Sequence, residues 1–467
     1  MIPGAPDARL PDGYAVRLSP TVRRRPDGAL LGGSPLRLMR LSARARELLT
    51  GDRVVVRDPT SAQLAERLLD AGLAVPDLPP RPAADVTVVI PVRDRPEGLS
   101  RLLAALRDDP ATASLPVVVV DDGSMTPVSV PGVRILRHEV SRGPAAARNT
   151  GLRAATTEFV AFLDSDCVPR ARWLERLRPH LDDPRLAVVA PRIVAMTGAE
   201  RGWLSDYEAA VSALDMGPAP ASVRPLSAVS YVPSAALLAR RCALGDGFDE
   251  TMRVAEDVDL VWRLTAAGWR VRYEPAAQVA HDHPARTADW LRRRAFYGTG
   301  AALLAVRHGR AVAPVVLAPE SALAWALALA GGRRGRAAAA GVLALTSVRL
   351  ARRLARDGER PPLGLAAALV LRGQGAAGRT LSRAVTRHHW PLALAAAVVS
   401  RRAGHGVLAV AAADALLAWW PHRGQVGPVR FAVGRRLEDL AYGAGLWLGA
   451  LRARDARALL PARAPRL

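Results

Sequence analysis

The chain has 467 residues, half of them hydrophobic, which is more than one ordinary domain holds and implies two or three. Its formal net charge is +22, all 65 basic residues are arginine, and aromatics make up only 4%. Two cysteines, Cys167 and Cys242, are too few for a disulfide scaffold or a cysteine zinc site. The N-terminal MIPGAPDARLPDG lacks the apolar core of a secretory signal, so a cytoplasmic catalytic part is expected.

Residues 1–79 read as a small module. YAVRLSP and GALLGGS form short strands around the turn formers Pro26, Asp27 and Gly28. Ser42 caps a helix over SARARELL, and Ser61 opens a second over SAQLAERLLDAG, ended by Gly72. This mixture is winged-helix-like. The Pro-rich stretch DLPPRPAAD, residues 77–85, is a linker.

From residue 86 the pattern changes, and a second domain is expected over 80–300. VTVVI, PVVVV, FVAFL and AVVA are continuous apolar runs, the mark of parallel strands buried on both faces. Helices are predicted over Pro96–Arg107, Pro144–Ala155 and Arg170–Leu181. The alternation implies a doubly wound α/β sheet, whose ligands bind beyond the carboxyl ends of the strands.

Residues 301–467 read as a basic, Ala-rich helical region. Residues 291–467 hold 28 arginines against 7 acids, so nearly the whole charge excess is C-terminal. Apolar segments at 311–332, 337–348, 363–371, 391–400 and 404–420 alternate with arginine clusters. Only the first has the length of a membrane span, and it carries Pro314, Pro319 and Glu320. The pattern predicts helices lying at a membrane surface, on the cytoplasmic face. A nucleic-acid partner is not expected, because the charge is not on the winged-helix-like module and few aromatics are present to stack on bases.

The polar residues after the predicted strands carry the chemistry. Pro91, Arg93 and Asp94 follow the first, Asp121 and Asp122 the second, and Asp164 and Asp166 the fourth. Carboxylates thus leave three strands at one rim. Asp164 and Asp166 are spaced to hold one hard cation, Mn²⁺ or Mg²⁺, which could bridge to a diphosphate. Asp94 and Asp122 are placed to bind a nucleoside. In SRGPAAARNTG, Gly143 allows close backbone approach and Arg148 supplies a fixed charge. Glu256 and Asp257 open the helix DVDLVWRLTAAG, and a carboxylate there can act as general base. His281 and His283 are each either a metal ligand or a structural histidine.

Taken in order, VTVVIPVRDRPEGLSRLLAAL, VVVVDDGS, RGPAAARNTGL, FVAFLDSD, GDGFDE and EDVDLVWRLTAAGWRV resemble the family-2 glycosyltransferases over about residues 86–285. The resemblance implies a GT-A fold and single-displacement, inverting transfer from a nucleotide-sugar. It assigns Asp94 and Asp122 to the nucleoside, Asp164 and Asp166 to a metal-binding DxD motif, and Asp257, with Glu256 beside it, to the catalytic base. Arg93-Asp94 departs from the family's usual Tyr-Asn. No QxxRW motif is visible, the nearest stretch being Asp289–Arg294, which argues against a cellulose- or hyaluronan-type synthase. The N-terminal module resembles PqqD-type peptide-recognition domains. That implies a peptide-derived redox cofactor precursor as acceptor and UDP-glucose as donor. A lipid-linked glycan of the cell envelope is the alternative acceptor.

Overall fold

A computed structural model describes residues 1–196, 202–284, 286–355 and 360–463 of the protein. The chain falls into two compact units, 1–284 and 285–467.

Short strands build the start of the first unit: β1 (Ala15–Leu18), β2 (Arg23–Arg24), β3 (Leu30–Gly32) and β4 (Arg37–Met39). They are followed by α1 (Ala43–Leu48), β5 (Arg53–Val55), α2 (Pro59–Asp70) and β6 (Ala74–Pro76). Two antiparallel sheets result, β5-β1-β6 and β2-β3-β4. Ser42 caps α1 as expected. In contrast, α2 starts before Ser61, because Asp58 is its N-cap and Pro59 fits the first turn. Ser61 closes the capping box from inside. Ala62, Leu64, Ala65, Leu68 and Leu69 of α2 pack on Val16, Val54 and Leu73.

The larger sheet follows: β7 (Val86–Val92), α3 (Pro96–Asp108), β8 (Val117–Asp122), β9 (Arg134–His138), α4 (Pro144–Ala154), β10 (Phe159–Leu163) and β11 (Cys167–Pro169). Then come α5 (Trp173–Leu177), β12 (Leu186–Ala195), α6 (Trp203–Val211), β13 (Ala221–Ser222), β14 (Ala236–Arg240), α7 (Glu256–Ala266) and β15 (Arg270–His281). Among the described residues it has nine strands, ordered β11-β15-β12-β14-β10-β7-β8-β9, with β13 on β15. Of the runs predicted as parallel strands, VTVVI, PVVVV and FVAFL are β7, β8 and β10, with β9 parallel beside β8, whereas AVVA lies in β12, which is antiparallel to β14 and parallel to β15. Between β10 and β12 lies β14, antiparallel to both, so the sheet is mixed. The helix expected over Arg170–Leu181 is shorter. It stops at Leu177 and continues as a 3-10 turn over Arg178–Asp182.

The N-terminal sheets dock on the start of β15 through buried charge. Asp183, fully buried, accepts from Arg270 Nη1 at 3.1 Å and from Arg272 Nη2 at 2.5 Å. Arg270 also reaches Asp70 at 2.8 Å, and Arg272 donates to the Tyr14 hydroxyl at 2.8 Å. Burial raises the Asp183 carboxyl, but the two guanidinium groups outweigh it and hold the acid below its ordinary range.

The second unit is helical: α8 (Thr287–His308), a short β16 (Val316–Leu317), α9 (Pro319–Ala330), α10 (Gly332–Leu354), α11 (Leu363–Arg383), α12 (Trp390–Val399), α13 (Arg401–Trp419), α14 (Pro428–Ala453) and β17 (Ala462–Arg463). Close crossing of α8 and α14 requires Gly445, where a Cβ would strike the Ala295 carbonyl. Because α8 runs unbroken through residue 300, residues 286–300, expected in the second domain, belong to this helical unit. Segment 311–332 does not form one long helix, since its helical part starts only at Pro319. Among the described residues, the helix long and apolar enough to cross a membrane is instead Arg401–His422, with mean hydropathy 1.3 and 11% of that stretch buried.

Candidate active site

Strands β7, β8 and β10 run parallel and in register, so their carboxyl ends share one rim. That register brings the acids after each apolar run together. Asp94 sits in the left-handed region at φ 50°, and its backbone N–H donates to Ser124 Oγ at 3.0 Å. Its Oδ1 accepts from Met125 N at 2.8 Å, and its side chain stays partly exposed. Pro91 is buried within β7, paired with Val120, short of the rim.

Asp121 and Asp122 turn inward. Asp121 is fully buried and accepts from Ser124 N, Val128 N and Arg137 Nη1. Asp122 accepts from Arg142 N at 2.8 Å, Gly143 N at 2.8 Å, Ser141 Oγ at 2.7 Å and His138 Nδ1 at 2.7 Å. Four donors fill the acceptor positions of one carboxylate. Burial raises both acids, and these hydrogen bonds more than offset it, so both lie below the usual range. Asp121 and Asp122, expected to touch the nucleotide, shape the rim loops through these contacts. Asp94 is the acid of this group that is left facing solvent. Gly143 caps α4 at φ 94°, with the exposed Arg253 guanidinium 3.6 Å from where a Cβ would stand.

Arg148 ties the remaining acids together. It is 3% exposed, and it donates from Nη2 to Asp164 Oδ1 at 2.6 Å and from Nη1 to Glu256 Oε1 at 3.0 Å. Its guanidinium also lies over the Phe248 ring, 5.4 Å from the centroid. Burial opposes its charge, but Asp164 and Glu256 overcome that and strengthen its hold on the proton. Next to Glu256, Asp257 accepts from Val258 N at 2.8 Å and from Ser234 N at 3.3 Å. Its side chain remains partly accessible although protein surrounds it. Burial first, and then repulsion by Glu256, push its pKa from an ordinary 3.8 to about 7. The residue before the pair, Ala255, has φ 62°, a strained turn that aims the start of α7 at the rim. Asp259, two residues on, is fully buried and held by Arg263 at 2.6 Å, so it belongs to the helix and not to the site.

Asp166 accepts from Arg95 Nη1 at 2.9 Å, and His281 Nε2 stands 3.5 Å from its other oxygen. Among the described residues, no three His, Cys, Asp or Glu side chains gather as a metal-holding group. His281, a candidate metal ligand or structural histidine by sequence, is buried beside Asp166. His283 faces Glu208 at 3.1 Å instead. The two carboxylates nevertheless fit a divalent ion of the Mn²⁺ or Mg²⁺ type. Such ions accept one or two protein carboxylates and take their other ligands from phosphate and water.

Several contributors had no sequence signal of their own. Arg95 on Asp166, His138 on Asp122 and the Ser234 N–H on Asp257 all come from distant parts of the chain. Gly98 is another: in α3 it lies against the Ser165 carbonyl, between the two DxD acids. Asn149, within the sequence motif around Arg148, bonds Phe248 O at 2.8 Å and Glu250 at 3.1 Å, which fixes the GDGFDE loop.

A model described as glycosyl transferase family 2 matches residues 87–242. Over 471 aligned residues the chain is 50% identical to the pre-mycofactocin glycosyltransferase of Mycobacterium tuberculosis, covering 97% of this chain and 98% of that protein. The chain belongs to the family-2 glycosyltransferases. The enzyme is also 31% identical over 209 residues to the succinoglycan biosynthesis protein ExoO of Rhizobium meliloti, covering 41% of this chain and 59% of that one. A mannosyltransferase of Pyrobaculum calidifontis, solved with GDP-mannose and Mn²⁺, is 20% identical and covers 74% of this chain and 91% of its own, with a TM-score of 0.36. The mixed α/β sheet agrees with the GT-A fold anticipated from the motifs.

Proposed function

We propose that this glycosyltransferase moves glucose from UDP-glucose to the peptide-derived mycofactocin precursor, inverting the anomeric carbon, and that it works at the cytoplasmic face of the membrane. Similarity to the pre-mycofactocin enzyme over nearly the full length of both chains, N-terminal module included, supports this acceptor. On this reading residues 1–79 recognise the peptide and the rim of β7, β8 and β10 performs the transfer.

The observation that carries the chemistry is Asp257, a partly accessible carboxylate with a pKa of about 7. A base tuned near neutrality can be ionised at rest and still take a proton. Asp257 removes the acceptor hydroxyl proton as that oxygen attacks the anomeric carbon. The bond to the nucleoside diphosphate breaks on the opposite face. The Val258 and Ser234 N–H groups hold Asp257 in place, Glu256 and Arg148 set its charge, and Asp94 orients the nucleoside. Asp164 and Asp166 would hold the divalent ion, which when bound supplies Lewis-acid stabilisation to the departing diphosphate.

The test is UDP release by the purified enzyme with Mn²⁺ or Mg²⁺, comparing UDP-glucose with other UDP- and dTDP-sugars, with and without the peptide-derived acceptor. Turnover that requires both UDP-glucose and the peptide-derived acceptor supports the proposal. Turnover only with a lipid-linked acceptor moves the enzyme to envelope glycan assembly. Calorimetry of UDP binding to Asp166→Ala checks the cation: unchanged, still metal-dependent affinity would remove Asp166 from that role.

A further inference from the structure

We infer that α12 and α13 form a hairpin that lies flat in the headgroup layer of an anionic phospholipid bilayer. Its outer apolar face would sit at the acyl boundary, and its flanking arginines on lipid phosphates. The inference rests on the membrane reading above and gives it a surface and an orientation.

No residue of α12 is buried, and Val398 and Val399 are 81% and 88% exposed. On α13 only Asp414 and Ala415 are buried, while Leu408, Leu416 and Leu417 are each more than half exposed. An apolar surface of this extent calls for a partner. The charges around it select lipid. Arg401 and Arg402 precede the apolar part of α13 and Arg423 and Arg430 follow it, all four exposed. Trp420, 57% exposed, has the Arg423 guanidinium 4.7 Å from its ring centroid, a pairing suited to the headgroup level.

Geometry then decides between spanning and lying flat. The ten residues of α12 reach about 15 Å, half the roughly 30 Å hydrocarbon layer, so the hairpin cannot be two spans. Tip-first insertion would drag Arg401 and Arg402, at the α12–α13 turn, into hydrocarbon. α13 alone has the length to cross, but Asp414 in its C-terminal half pairs with Arg435 at 2.7 Å and Arg436 at 2.5 Å on α14. A span would carry that charged cluster into the bilayer interior. Lying flat leaves the cluster on the protein side and the leucines on the lipid side.

The experiment is sedimentation of the full chain with vesicles of phosphatidylcholine alone or of equimolar phosphatidylcholine and phosphatidylglycerol. The parent should bind the mixed vesicles about tenfold more tightly. Leu416→Glu with Leu417→Glu should weaken that binding about tenfold or more. Arg401→Gln with Arg402→Gln changes only exposed charges and should abolish most of the preference for anionic vesicles, so it reports even if the glutamates disturb the bundle. Bound protein should be released by alkaline carbonate. Failure of the parent to bind either vesicle overturns both the membrane reading and the hairpin. Binding unaffected by both double variants overturns the hairpin alone. Resistance to carbonate overturns the flat orientation in favour of a span.

Discussion

Arg148 donates to Asp164 Oδ1 at 2.6 Å, and its other amino group meets Glu256 at 3.0 Å, so one buried guanidinium links the end of β10 to the start of α7. In the proposed mechanism the donor side and the base side of the site thus share one cation. Removing it leaves the buried Glu256 and the partly exposed Asp164 without their partner. Arg148→Ala should cost about 3–5 kcal/mol of stability, the usual loss when one member of a buried ion pair is deleted. Arg148→Lys keeps the charge but loses the two-pronged reach. It should recover much of the stability in chemical denaturation while turnover stays at least about 10²-fold down. Parent-like turnover in the lysine variant would show that the fork itself is dispensable.

Asp257 predicts two pH dependences. As a base it must be ionised, so turnover at saturating substrates should rise with pH and level off above its pKa of about 7. Stability runs the other way. The folded-state pKa is raised, so between about pH 4 and 7 the fold binds a proton that the unfolded chain has released. Stability therefore falls as pH rises through this window and is flat above it. Asp257→Asn should lower turnover by roughly 10²–10⁴ with donor binding intact. It should also melt above the parent at pH 8, with the gap closing toward pH 4. An unchanged pH profile in a still-active asparagine variant would assign the base elsewhere.

The parts of this site that could be read from sequence are those where strand and chemistry are adjacent in the chain. VTVVI, PVVVV and FVAFL announced β7, β8 and β10, and the acids behind them had to emerge at one rim once the strands were parallel. What sequence did not reveal depends on pairing across distance. ALLAR reads as a buried strand in either direction, and only its neighbours β10 and β12 make β14 antiparallel. An acid after a strand looks the same whether it faces a ligand or the protein. His138, 16 residues beyond Asp122, supplies one of the four donors that hold Asp122. The arginines at 401–402 read as a break between apolar segments, yet they begin α13 because Ser400 caps it.

Gly98 makes a positional prediction. A Cβ there would stand 2.6 Å from the Ser165 carbonyl oxygen, closer than such atoms approach. The obstacle is backbone, so α3 or the Asp164–Asp166 loop must shift. Gly98→Ala should lower turnover by about 10²-fold, the cost of a misplacement near 1 Å, and stability by about 1–3 kcal/mol. Because the loop carries Asp164 and Asp166, the proposed metal-holding pair, metal-dependent UDP affinity should fall as well. A variant that loses stability but keeps that affinity would show that α3 yields and the loop does not.

The last prediction concerns how the N-terminal module is held. Asp183 is fully buried between Arg270 and Arg272, and Arg272 has the Tyr14 hydroxyl as its further partner. Burial pushes the Tyr14 hydroxyl up to about 12, so it stays a neutral dipole and cannot replace a lost carboxylate charge. Asp183→Asn should therefore cost about 3–5 kcal/mol in urea denaturation, because it strands guanidinium charge inside the protein. Arg270 keeps Asp70, so the damage falls mainly on Arg272. The parent's own acid sensitivity follows from the same group. Its folded pKa is depressed, so its contribution is complete above the ordinary carboxylate range and is lost as pH falls below it. The asparagine variant should lack that segment of the acid-unfolding curve. If module docking is what Asp183 supports, cleavage in the 77–85 linker by a low dose of protease should also quicken in the variant while the rim of β7, β8 and β10 stays intact. Cleavage at the parent's rate together with an undiminished denaturation midpoint would mean that Asp70–Arg270 alone carries the docking.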